Sequence, residues 1–145
     1  MPLADINPVL DEMLTQMKAA EPSIKTAEIF GGQFTGLEAG KLGFKSPAVF
    51  VAPLGGPPSN HPDPKTIEID WRFIAYVVAK GDRGNYNHSR EALNIAQAMA
   101  KLIKNNRWVD ADVRKAELSR IELLYTNNGI AIWSIQWNQP LKLAC

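Results

Sequence analysis

The sequence predicts an α+β domain: a mostly antiparallel sheet of about four to five strands with two helices packed on one face. Three features predict it: two segments whose apolar residues recur at helical spacing, one long run that alternates with period two, and an Asn127-Asn128-Gly129 turn between two further alternating runs. With 145 residues, 46% of them hydrophobic and 21% charged, the chain suits one domain, residues 1–145, that buries a core without disulfides or metals.

Asn7-Pro8 reads as a helix start, with Asn7 capping free N–H groups and Pro8 at the first helical position, where it loses no hydrogen bond. Leu10, Met13, Leu14 and Met17 then share one face opposite Asp11, Glu12 and Lys18, in a helix that ends before Pro22. Ile24 to Phe30 reads as a short strand stopped by Gly31-Gly32, and 31–46 as a loop. Ala48 to Ala52, between Pro47 and Pro53, is a continuous apolar run that suits a strand covered on both faces. Residues 53–64 hold half of the chain's ten prolines and read as a stiff, exposed loop within the domain rather than a linker between domains.

Ile67, Ile69, Trp71, Phe73, Ala75 and Val77 alternate with Glu68, Asp70, Arg72, Ile74, Tyr76 and Val78, the pattern of a long strand. Its second face turns apolar in the later half, so something must cover that end, and the helix that follows is the expected cover. That helix follows the turn 80–84 and carries Ala92, Ile95, Ala96, Met99, Leu102 and Ile103 on one face until Asn105-Asn106 ends it. Leu118–Tyr125 and Ile130–Trp137 then form the closing hairpin, where Asn-Gly accepts positive φ.

Composition narrows the function classes. Sixteen basic and 15 acidic side chains leave a formal charge of +1, with no global field for a polyanion or an anionic membrane, so neither nucleic acid nor membrane is the expected partner. The one cysteine, Cys145, allows no intrachain disulfide and no thiol cluster for zinc, and a reducing cytoplasm is its simplest setting. The N-terminus lacks the basic and then apolar stretches of a secretory signal, and the apolar run 73–79 is far short of the roughly 20 residues that span a bilayer.

Chemistry is equally sparse. His61 and His88 have no second His or Cys at ligand spacing and read as exposed loop residues; no metal site is expected. Asp63 near His61 lacks the packed support that an acid–base pair needs. Gly81-Asp82-Arg83-Gly84 lacks the glycine spacing and Lys-Ser/Thr pair of a phosphate loop and reads as a strand-to-helix turn. Ser89 has no nucleophile context and, like Asn87, is explained by helix capping. Trp71, Trp133 and Trp137 could stack unpaired bases from a sheet face, but core packing explains them better. Lys101, Lys104, Arg107, Arg114, Lys115 and Arg120 form a basic stretch interrupted by Asp110, Asp112 and Glu117, as on a solvated face. No catalytic residue and no cofactor site emerges.

Ala27-Glu28-Ile29-Phe30-Gly31-Gly32, then Ser46-Pro47-Ala48-Val49-Phe50-Val51-Ala52, then Asp82-Arg83-Gly84 leading into a helix with Arg90, together resemble the Mu-like phage tail-terminator family over most of the chain. The resemblance implies a non-enzymatic virion protein, assembled in the host cytoplasm, that forms a sixfold ring on the end of a contractile tail tube. Such a ring stops tail growth and offers a joining surface to the head. The implied partners are copies of itself, the tail tube protein, the sheath, and the head-connector or neck proteins, in a phage, a defective prophage or a tailocin. Stiff, exposed loops suit such contacts, which directs attention to Pro57, Pro58 and His61 in the proline-rich loop and to Asp82 and Arg83 in the turn. A neck or head-completion ring, a single-strand nucleic-acid binder and, last, an enzyme are the competing expectations.

Overall fold

The computed structural model describes residues 2–31, 43–59, 63–81, 87–109, 112–127 and 129–145. Among them, helix α1 spans Asn7–Ala20 and strand β1 Thr26–Ile29, followed by β2 at Ala48–Gly55 and β3 at Thr66–Lys80. Helix α2 spans Asn87–Ile103, and β4 (Glu117–Asn127) and β5 (Ile130–Ala144) complete the chain. The strands form one sheet in the order β1-β2-β3-β5-β4; β1 and β2 are parallel and every other neighbouring pair is antiparallel. The expected α+β architecture, mostly antiparallel with both helices on one face, is what forms.

The spine of the sheet is the pairing of β3 with β5, in register from Thr66 opposite Ala144 to Lys80 opposite Ile130. Because side chains alternate across a strand, this register sends Phe73, Ala75, Val77, Ala131, Ile135 and Trp137 to one face, and both helices pack there. From α1 come Val9, Leu10, Met13 and Met17; from α2 come Ala92, Ile95, Ala96, Met99 and Ile103, the residues picked out by helical spacing. Each large side chain buried in this way contributes about 1.5–3 kcal/mol.

Several boundaries differ from the expectation. The residue before the first helical turn is Ile6, not Asn7, and no side chain caps the helix; Asn7 is itself helical, and its N–H donates to Asp5 Oδ1 at 2.8 Å. Strand β1 is shorter than 24–30, and Ile24 instead plugs the core. Pro53 does not close β2, which runs on to Gly55 with a register irregularity between Pro53 and Gly55. The proline is tolerated because β1 pairs only as far as Val51, so at Pro53 that side of β2 has no strand asking for an N–H. Strand β5 likewise runs past Trp137 and through Pro140 to Ala144; β4 pairs no further than Asn138, and beyond it the 112–114 segment takes over, with Arg114 N–H donating to the Pro140 carbonyl at 2.9 Å.

The expected cover for the second face is also wrong. Ile74, Tyr76 and Val78 cluster with Ala48, Phe50, Ala52, Ile130 and Ile132, and among the described residues no helix packs on this cluster. Phe30, Phe44, Leu54 and Tyr125 close over that cluster instead, with Phe30 and Phe44 edge-on to Phe50 at 6.0 and 5.3 Å. Helix α2 packs on the Phe73 face, where α1 also lies, so the two helices share one layer.

Helix α2 ends as its asparagines suggest. Asn105 takes φ 62°, a left-handed residue just past the last turn, and its N–H donates to the Ala116 carbonyl at 3.1 Å. The β4–β5 turn holds Gly129 at φ 74°, where an added Cβ would collide with the Gly81 carbonyl oxygen.

Candidate functional site

The residues singled out in the sequence are placed by the structure only in part. His88 is no loop residue: it sits in the first turn of α2, buried and packed on Gly81 at the end of β3. His61 lies outside the described residues, as do Asp82 and Arg83. Among the described residues, no group of three or more His, Cys, Asp or Glu side chains could hold a metal ion.

The tryptophans face the helices. Trp71, Phe73 and Trp137 stack in a row with ring centroids 6.1 and 5.4 Å apart, and Trp108 leans on Trp137 at 6.4 Å. Trp137 is fully buried, and Trp71 and Trp133 pack against the same core, so they offer no open platform for bases. Gln139, absent from every sequence expectation, organises this region. Its Oε1 accepts from Trp108 Nε1 at 2.8 Å and from Trp137 Nε1 at 3.3 Å, while its Nε2 donates to the carbonyls of Asn106 and Arg114, both at 2.8 Å. A fully buried amide is stable only when its donors and acceptor are all engaged, as they are here. It ties the segment after α2 to β5, and Trp108, held at φ 68°, is fixed by the same bond.

The basic stretch divides into two roles. Lys101, Lys104 and Lys115 are exposed, the solvated face that was expected. Arg107 is exposed but tethered, its Nε donating to the Val113 carbonyl at 2.8 Å, and Arg114 reaches the buried Glu68 at 3.3 Å. These contacts border a pocket of about 110 Å³ together with Asp112 and Lys142, space for a few waters at roughly 30 Å³ each.

Three further surface features stand out among the described residues. Pro57 and Pro58 are exposed, yet their backbone is held against β3: Asp70 donates to the Pro57 carbonyl at 3.1 Å, Pro58 bridges to Ile69, and Ser59 donates to the Glu68 carbonyl at 2.8 Å. Gly56 permits this approach, since a Cβ there would strike the Asp70 carbonyl. The base of the Lys80 turn is anchored too, with Lys80 N–H donating to Ser46 Oγ at 2.8 Å, Lys80 Nζ lying 4.0 Å above the Phe44 ring, and Gly81 N–H donating to the Gly129 carbonyl at 2.7 Å. These two features are not brought together. They occupy opposite ends of β3, roughly 35 Å apart at about 3.3 Å per residue.

The third feature was missed by the sequence reading. Strand β4 is the outermost strand, and it exposes Ile121 (46%), Leu123 (46%) and Leu124 (40%) within four residues. The alternation of 118–125 marks a strand but not its place in the sheet, which depends on which neighbour β5 takes on its other side.

No family model and no curated protein sequence matches the chain. Solved structures do resemble it. A chain from the virion of a native gene transfer agent particle is 9% identical, with a TM-score of 0.57 over 92% of this chain and 91% of that one. A second solved chain is 15% identical, with a TM-score of 0.54 over 93% of this chain and 91% of its own length. At such identities the likeness is one of fold, and in both cases it extends over nearly the whole of each chain.

Proposed function

We propose that this chain is a structural protein of a phage-like virion that caps the end of a tail tube as a ring, ends tail polymerisation and offers the joining surface for the head. The observation that carries the reading is the fold likeness, nearly end to end, to a chain of a gene transfer agent virion. The resemblance of the 27–32, 46–52 and 82–84 motifs to tail terminators supplies the specific role. Two anchored surface features at opposite ends of the longest strand suit the geometry, because a ring needs two different patches on each subunit, one to meet the neighbour on either side. Pro57, Pro58 and His61 would serve at one end, Asp82 and Arg83 at the other, with binding energy drawn from fit rather than bond chemistry. The aromatic side chains that a single-strand binder would need are packed under the helices, which disfavours that alternative.

Deleting the gene from its particle and imaging the products tests the role. Abnormally long tails are the expected outcome. Tails of normal length that lack heads would move the protein to the neck, and intact particles would remove it from the tail altogether.

A further inference from the structure

The outer edge of β4 has no strand beside it among the described residues. Sheet edges in soluble proteins are usually guarded by shortness, lysine or proline. The opposite edge is guarded in this way, since β1 has only four residues, whereas β4 has 11 and contains neither Lys nor Pro. Two register irregularities, the one guard this edge carries besides its charges, split its pairing with β5 into three runs, of which Arg120 to Leu123 is the longest regular run. Within that run Ile121 and Leu123 stand opposite Ile135 and Trp133 on the helix side, while Arg120 and Glu122 stand opposite Gln136 and Ser134 on the other face. Both charges are exposed, and within the chain they pair weakly with each other at 3.4 Å.

This pattern is complementary to itself. A twofold axis normal to the sheet keeps every side chain on its own face, so an antiparallel copy of β4 can be centred only on Ile121 or on Glu122 within the regular run. Centring on Glu122 sets two carboxylates against each other. Centring on Ile121 sets each Arg120 against Glu122 of the partner subunit, twice, and sets the two Ile121 side chains together. We propose that β4 is a self-association surface at which a second copy of this chain adds its own β4 edge in that register, joining two five-stranded sheets into one. The contact is isologous and does not by itself close a ring, so it stands apart from the tail-capping reading.

Sedimentation equilibrium of the whole chain tests the register through charge exchange. Arg120→Glu or Glu122→Arg alone opposes like charges at two places, and each is expected to raise the dimer dissociation constant roughly tenfold or more. The double exchange, Arg120→Glu with Glu122→Arg, restores both pairs and is expected to bring the constant back to within about threefold of the unmodified chain. A double variant as weak as the single ones overturns the proposal, as does association indifferent to both single changes. A chain that stays monomeric up to about millimolar concentration overturns it too. A hexamer untouched by every exchange sinks this proposal while favouring the ring. Should a single variant lose its fold, hydrogen exchange on the unmodified chain reads the same contact: protection of the 120–123 amides is expected to rise with protein concentration, and concentration-independent exchange overturns it.

Discussion

Ile135 and Ile121 stand opposite each other on adjacent strands and on the same face of one sheet, yet Ile135 is 0% exposed and Ile121 46%. Their side chains are identical; what differs is the layer above. Helix α2 lies over β3 and β5 and touches β4 only along its margin, so the central strands are sealed and the edge strand is left open. Burial belongs to the position in the assembly of elements, and hydrophobicity only makes it favourable. The contrast extends to polar groups. At the sealed centre Gln139 must have all its bonds made, whereas at the edge Arg120 and Glu122 can rely on water.

This contrast sets a ladder of expected effects. Gln139→Leu removes one amide but strands two indole N–H groups and two carbonyls, and a loss of about 3–5 kcal/mol is expected in urea unfolding. A loss below about 1 kcal/mol would mean that the sealed region is not organised around this residue. Gly129→Ala combines positive φ with a clash on the Gly81 carbonyl and is expected to cost about 2 kcal/mol, read as a fall in thermal midpoint. Glu68→Gln keeps the shape but discards an ion pair whose arginine is largely exposed; the expected loss is about 1 kcal/mol, shrinking as salt is added. Ile121→Ser, on the open edge, is expected to change unfolding free energy by no more than about 0.5 kcal/mol, and a large loss would show that the edge is covered within the monomer.

Much of the framework was legible in the residues. Helical spacing found the buried faces of both helices, and alternation found β3 and the two hairpin strands, because those periods are imposed locally by backbone geometry. The proline at 53 misled. A strand can pass through proline where one side has no neighbour, and at Pro53 that is set by where β1, distant in sequence, stops pairing. The cover of the Ile74 face was misassigned for a related reason: alternation reveals that a face is apolar but not which element lands on it. His88 looked like a loop residue because nothing in its neighbourhood of the sequence announces contact with Gly81.

The candidate site was legible only in part. Composition pointed to the stiff Pro57-Pro58 segment, and the structure places it exposed and anchored at one end of β3. Gln139 and the β4 edge left no mark, since one depends on four partners from three stretches of chain and the other on strand order.

The sequence alone therefore determined the class of each main element and which face of it is apolar, because φ/ψ preference and side-chain period act over a few residues. Only the tertiary structure decided which apolar face is sealed, which strand is left at the rim and where a buried amide finds its four partners. Those outcomes depend on the pairing of segments far apart in the chain, and short-range preferences carry no information about that pairing.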